Sequence, residues 1–131
     1  MKSNKIPKWF LDALAQKPNI KSVKIKGSKI SYNCWGEKNK PGLIFVHGGM
    51  AHADWWNFIT PYFLKTHRVI AMNLGGMGDS EWRKEYSTET WGLEIEGVCK
   101  KEKLKKPIII GHSLGGMCGV YAASIMKKNL Y

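Results

Sequence analysis

Short apolar segments alternate along the chain with polar and glycine-rich segments. Residues 21–26 alternate polar and apolar side chains with a period of two, which predicts a half-buried strand. Residues 29–35 predict its antiparallel partner across the Gly27-Ser28 turn. Continuous apolar runs are typical of strands that are covered on both faces. Three such runs follow, at residues 43–47, 67–72 and 108–110.

The intervening segments predict helices, one of them rich in aromatic side chains and capped by Asp54. A hairpin followed by the order β-α-β-α-β-α predicts an α/β fold whose later strands run parallel, with helices on both faces of the sheet. The ligand site of such a sheet lies at the carboxyl ends of its strands. The predicted helices are residues 7–16, 55–63, 87–101 and 114–126.

Glycine-rich loops follow each of the three apolar runs, and the last one contains a Gly-x-Ser-x-Gly motif from Gly111 to Gly115. A strand, a tight turn with Ser113 at its apex and a helix form the context of a nucleophile elbow. The neighbours two residues away must be small so that strand and helix can approach each other. Such a turn exposes the serine hydroxyl and directs the N–H of Leu114 towards a developing oxyanion. The alternative is a glycine-rich turn that only packs.

Three motifs in this order resemble those of the α/β-hydrolase-fold family, of the esterase, C–C hydrolase and cofactor-free haloperoxidase type. They are the oxyanion loop from His47 to Gly49, the loop at residues 73–80, and the elbow with Ser113. The middle loop is written D-x-R-G-x-G-x-S in the family, and Asn73 and Gly75 replace its acidic and basic residues. This departure puts the polar contacts of the loop in doubt, but not the fold.

The resemblance covers roughly residues 20–131 and corresponds to the N-terminal half of the family's fold. It implies a partial core domain over residues 20–131, truncated after the elbow helix. Residues 1–19 are then expected to form an N-terminal helical extension.

The resemblance also implies a serine hydrolase that acts on an ester, thioester or similar activated carbonyl through an acyl-enzyme, with a small-molecule substrate and no cofactor or metal. Backbone N–H groups of Gly49, Met50 and Leu114 would hold the oxyanion. Serine at position 113 argues against the relatives that use an aspartate nucleophile on epoxides or haloalkanes. The residues expected to support the elbow and the oxyanion loop are His47, Gly48, Gly111, His112 and Gly115, with His112 pointing into the core.

The family's order of catalytic residues is serine, then acid, then histidine. Residues 114–131 contain no aspartate, glutamate or histidine, so we expect this chain to be truncated and inactive by itself. His52 is the one candidate for a substitute base near the pocket mouth, while Asp79 lies on a site-facing loop but does not match the triad acid. The alternative function is a non-catalytic remnant that binds a small molecule or a partner.

The predicted truncation leaves residues 108–110 on an unpaired, apolar sheet edge, which is an aggregation hazard. We therefore expect the chain to be marginally stable or to associate with itself.

Composition excludes several other classes of protein. Hydrophobic residues make up 44% of the 131 residues and charged residues 24%, as in ordinary globular domains. We find neither a membrane-spanning run nor a signal peptide, and the three cysteines are widely spaced, so a cytoplasmic location without membrane contact is expected. The net charge of +11 comes almost wholly from lysine. Without a nucleic-acid motif this indicates solvated faces, and no nucleic-acid partner is expected.

Overall fold

The fold is built on one mixed sheet. The structure, a computed structural model, describes residues 5–127. The five strands in this range are β1 (Asn19–Ile25), β2 (Ser28–Trp35), β3 (Gly42–Val46), β4 (Arg68–Met72) and β5 (Ile108–Gly111). They lie in the order β1-β2-β4-β3-β5, where β1 pairs with β2 and β2 with β4 antiparallel, and β3 pairs with β4 and β5 parallel. The predicted hairpin and the parallel later strands are confirmed.

Three α-helices accompany the sheet within the described residues, and two of them cover the same face. They are α1 (Lys8–Ala15), α2 (Thr88–Lys101) and α3 (Leu114–Met126). Because side chains alternate along a strand, Ile44 and Val46 of β3 belong to the core beneath α2 and α3. Leu43 and Phe45 of the same strand pack on the opposite face. None of the helices in residues 5–127 has the length and apolar character needed to cross a membrane.

The opposite face is covered by two short 3₁₀ helices, Ala53–Trp56 and Thr60–Phe63, so the prediction of one aromatic-rich helix over residues 55–63 is wrong. Pro61 explains the interruption, since proline has no N–H to donate and its ring clashes with the preceding turn. Asp54 was expected to be a cap, but it lies in the first turn, where its carboxylate accepts a hydrogen bond of 2.8 Å from Asn33. Aromatic side chains of this segment still reach the sheet, because Trp56 packs against Phe45 with ring centroids 4.9 Å apart and the rings tilted by 39°.

The elbow strand β5 lies at the edge of the sheet, as predicted, and pairs with β3 on its inner side. Ile108 is 38% exposed, and Ile109 and Ile110 are half-buried. The adjoining helix α3 exposes Met117 and Val120. The exposed apolar edge is therefore present, whereas self-association through it stays a prediction, as does the division into an extension and a core.

A buried carboxylate connects the end of α2 to the sheet at the amino end of β4, opposite the end where the elbow lies. Glu102 follows α2, and its side chain is 6% exposed. It accepts hydrogen bonds from Arg68 at 2.6 Å, Tyr32 at 2.7 Å and Lys21 at 3.0 Å. Burial opposes ionisation of Glu102, but these hydrogen bonds outweigh it and lower its pKa to about 2. Glu102 is surrounded in sequence by the lysines of residues 100–106, so this lysine-rich segment contains one buried carboxylate.

Candidate active site

Ser113 occupies the turn between β5 and α3 in a backbone conformation that serine rarely adopts. β5 ends at Gly111, α3 begins at Leu114, and Ser113 has φ 50° and ψ −118°. Its carbonyl oxygen accepts from the N–H of Gly116 at 2.9 Å, which closes the turn into the helix. The residue is exposed at the carboxyl end of the strand. The strained, outward-facing elbow is the conformation that the motif predicts.

The two glycines of the motif are required by close backbone approach. A Cβ on Gly111 would overlap the backbone of Gly115, and a Cβ on Gly115 would overlap the carbonyl oxygens of Val46 and His47. At Gly116, by contrast, the nearest atom to an added Cβ is 3.4 Å away. The elbow can therefore lie against β3 only when positions 111 and 115 lack side chains.

The loop after β3 faces the elbow with potential hydrogen-bond donors. Within residues 5–127, the N–H groups of Gly49, Met50 and Leu114 have no backbone acceptor. Leu114 is the first residue of α3, so the positive end of the helix dipole lies at its N–H. Gly49 and Met50 are exposed, and Met50 has a left-handed φ of 59°. These donors are suited to an anionic oxygen, which is the role that the sequence predicts for them.

His47 fastens this loop to the loop after β4. The side chain is fully buried; its Nε2 accepts from the N–H of Leu74 at 3.1 Å, and its Nδ1 lies 2.7 Å from the carbonyl oxygen of Gly48. An acceptor Nε2 requires that Nδ1 carries the proton and donates. Burial lowers the pKa of His47, against the opposing hydrogen bond to Gly48. His47 is thus a neutral, structural histidine, in accord with its predicted supporting role.

The other three histidines of the chain engage groups away from the Ser113 hydroxyl. His67 lies 2.8 Å from the hydroxyl of Thr66. His52 lies 3.9 Å from Asp54, and His52 and Asp79 line one polar cavity of about 320 Å³. His52 and Asp79, which the sequence analysis considered separately, therefore lie at the same cavity.

The expectation that His112 points into the core is wrong. Its side chain is exposed and stacks on Trp55 with ring centroids 6.4 Å apart. A Cβ on Gly48 would come within 2.7 Å of the His112 Nδ1, so the ring lies over the oxyanion loop. Because β5 is an edge strand, His112 at its end lies beside the loop after β3 and not beneath it.

The loop after β4 keeps its polar contacts despite the departure from the family motif. The side chain of Asn73 accepts from the N–H of Ala53 and donates to the hydroxyl of Ser31, each at 2.7 Å. The Ser80 hydroxyl donates to the Asn73 carbonyl oxygen at 2.7 Å. An amide thus serves both as donor and as acceptor where the family has a carboxylate, and the doubt raised by the sequence is resolved.

A buried ion pair holds the other side of this loop. Glu94 is fully buried on α2, accepts from the N–H of Gly75 at 2.7 Å and pairs with Arg83 at 2.8 Å. A Cβ on Gly75 would overlap the Glu94 carboxylate and lie 3.2 Å from the Arg83 Nε, so the Glu94–Arg83 pair occupies the space beside the position where the motif has a basic residue. This pair was not predicted from the sequence. Helical spacing could have indicated that Glu94 is buried, because it shares the apolar face of Trp91 and Val98.

The site holds a second feature that the sequence did not reveal, an apolar cavity of about 280 Å³ beside Met50 and Leu114. Its far wall is aromatic and includes Trp82, Tyr86 and Trp91. For metals, residues 5–127 contain no group of three or more histidine, cysteine, aspartate or glutamate side chains placed to hold an ion.

Comparison with known proteins places this geometry among the hydrolases. Residues 41–129 match the model of the family described as alpha/beta hydrolase fold. Human epoxide hydrolase 4 is 28% identical over 98 residues, which cover 72% of this chain and 27% of that protein. Human serine hydrolase-like protein is 29% identical over 93 residues, or 69% of this chain and 46% of that protein.

Among solved structures, the thioesterase domain from the curacin biosynthetic pathway has a TM-score of 0.76 at 26% identity. The match covers 86% of this chain and 43% of that one. The chain therefore spans less than half the length of each of these three proteins.

Proposed function

Because the chain belongs to the α/β-hydrolase fold family, we propose that it is the nucleophile-bearing part of a serine hydrolase. The substrate is an ester, a thioester or a similarly activated carbonyl compound, and the reaction passes through an acyl-enzyme on Ser113. The observation that carries this proposal is the backbone of Ser113, strained at φ 50° and exposed between a strand and a helix N-terminus.

The arrangement suits acyl transfer in two steps. The Ser113 Oγ attacks the carbonyl carbon and gives its proton to a histidine, while the carbonyl oxygen becomes an oxyanion that the N–H groups of Leu114 and Gly49 or Met50 stabilise. When the carbonyl re-forms, the bond to the leaving alcohol or thiol breaks, and the leaving group takes the proton from the histidine. Water then attacks the acyl-enzyme by the same route and releases the acid.

The proton relay must come from outside residues 1–131 in this proposal. No residue after Ser113 is acidic or a histidine, and the four histidines present engage other groups. The relatives are more than twice as long as the matched region, which leaves room for an acid and a histidine in the remaining part of such a protein.

Two further observations bear on the choice of reaction. Serine at position 113 favours an acyl carbonyl over an epoxide, although one relative is named an epoxide hydrolase. All three cysteines, Cys34, Cys99 and Cys118, are buried free thiols, which supports a reducing, cytoplasmic location. The alternative function, a non-catalytic binding module, is favoured by the absence of a base within residues 1–131.

We expect the product of the whole reading frame that contains residues 1–131 to hydrolyse 4-nitrophenyl butyrate and to leave styrene oxide unchanged. Nitrophenolate release and diol formation, followed by absorbance and by chromatography, measure the two reactions. Residues 1–131 alone serve as the control and should release no nitrophenolate above the buffer rate. Diol formation without ester turnover would contradict the proposal. If the protein catalysed neither reaction, the result would favour the binding module.

A further inference from the structure

We propose that this site takes carbonyl substrates with an uncharged apolar substituent, an alkyl chain or an aromatic ring, which occupies the apolar cavity beside Met50 and Leu114. The inference rests on the proposed function for the position of the reacting carbonyl. The binding preference follows from the cavity itself and is measurable without any reaction.

The cavity is continuous with the proposed oxyanion hole. Gly49, Met50 and Leu114 line it, and the N–H groups of the same three residues are the proposed donors. A carbonyl oxygen held by these donors therefore places the atoms bound to the carbonyl carbon at the mouth of the cavity.

Away from the proposed oxyanion donors, the aromatic wall presents carbon to the ligand because its polar atoms are engaged elsewhere. The indole N–H of Trp91 donates to the carbonyl oxygen of Gly75 at 3.0 Å, and the hydroxyl of Tyr86 accepts from the N–H of Arg83 at 2.9 Å. Among residues 5–127, no charged side chain lines this cavity, although the chain carries a net charge of +11. A charged substituent would lose its hydration here without gaining a partner.

The aromatic wall is held in place before a ligand arrives. Tyr86 and Trp91 stack with ring centroids 5.5 Å apart and an interplanar angle of 26°. The lack of a side chain at Gly76 gives the Tyr86 ring its place, because a Cβ there would overlap the ring. Trp82, which is 82% exposed, forms the rim. At roughly 30 Å³ for a group the size of a water molecule, a cavity of about 280 Å³ admits several methylenes or one ring.

Binding is tested with 2-alkanones from butanone to 2-nonanone, which carry a carbonyl group but no bond that a hydrolase breaks. The product of the whole reading frame that contains residues 1–131, labelled with ¹³C at its methionine methyl groups, is titrated and followed by NMR. We expect saturable shifts at Met50 and Met77, which line the cavity, and none at Met117 on the exposed face of α3. Affinity should rise up to about fourfold for each added methylene until the cavity is full.

Matched tryptophan variants assign the binding to this cavity. Trp82→Ala should weaken binding of 2-nonanone by at least about threefold and flatten the dependence on chain length. Trp9→Ala removes a tryptophan that is 51% exposed on α1, outside the cavity, and should leave binding unchanged. Both side chains are largely exposed, so both variants are expected to fold. 8-Oxononanoate, which keeps the methyl ketone and carries a carboxylate in place of the terminal methyl group, should bind more weakly than 2-nonanone because no charged side chain lines the cavity to pair with it.

Shifts at Met117 in place of Met50 and Met77, no saturation, or equal binding of 8-oxononanoate would overturn the proposal. Its failure is distinguishable from failure of the proposed function, because Ser113→Ala should bind 2-nonanone as the wild type does. Alkanone binding without ester turnover in the whole protein would remove the hydrolase proposal and retain the apolar cavity. Ester turnover without alkanone binding would remove the proposed role of the apolar cavity and retain the hydrolase proposal.

Discussion

Ser113→Ala is expected to lower kcat for 4-nitrophenyl butyrate by about 10⁴-fold or more in the product of the whole reading frame. The substitution removes the only atom that forms the bond to the acyl group, and loss of a serine nucleophile commonly costs about 10⁴- to 10⁶-fold. Binding should change little, since the hydroxyl is small and exposed. Steady-state kinetics on both proteins, with KM reported beside kcat, measure the effect.

The matched control is Ser124→Ala, which removes a serine hydroxyl on the same helix. Ser124 is exposed, and its hydroxyl donates to the carbonyl oxygen of Tyr121 at 2.7 Å. This variant should retain wild-type kcat. A Ser113→Ala protein that kept more than about one hundredth of the wild-type kcat would show that another group forms the acyl bond.

Gly115→Ala is expected to destabilise the folded chain by more than about 3 kcal/mol, a large share of the roughly 5–15 kcal/mol that holds a typical domain together. The added Cβ would overlap the carbonyl oxygens of Val46 and His47, and neither backbone atom can rotate away as a side chain does. Relief requires that α3 moves away from β3, which loosens the core beneath it. Urea unfolding followed by circular dichroism measures the loss.

Gly116→Ala is the control for this substitution, because it adds the same methyl group one residue later in the same helix turn. The nearest atom to its Cβ is the Gly111 carbonyl oxygen at 3.4 Å, an ordinary contact. Alanine also has the higher helix propensity, by about 1 kcal/mol. The variant should match or exceed the wild-type stability. Equal stability of the Gly115→Ala and wild-type proteins would contradict the close approach at the elbow.

Features that depend on neighbours in sequence were predictable. The period-two pattern of β1, the apolar run of β3 and the glycine spacing around Ser113 each specify local structure, and each is present. The prediction of one helix over residues 55–63 is wrong, and the reason is also local in sequence. The aromatic residues of this segment predict one helix, whereas the structure has two short 3₁₀ helices, and Pro61 lies in the first turn of the second.

Features that depend on distant partners were not predictable. The Glu94–Arg83 pair joins a helix to the loop before it. Glu102 forms an ion pair with Arg68, which lies on a strand 34 residues earlier in the chain. In sequence Glu102 resembles an ordinary surface charge, while the place of Glu94 on an apolar helix face indicates burial but does not identify Arg83 as its partner. The aromatic cavity likewise exists because the fold brings Met50 and Leu114 beside Trp82, residues that no short motif connects.

Peptide mass spectrometry of the protein quenched during turnover tests whether Ser113 forms the acyl-enzyme. The whole protein is mixed with excess 4-nitrophenyl butyrate, stopped in acid within the first turnovers and digested. We expect a butyryl group on the peptide that contains Ser113, and none on the corresponding peptide of the Ser113→Ala protein. Steady release of nitrophenolate with the butyryl group on another residue would contradict it.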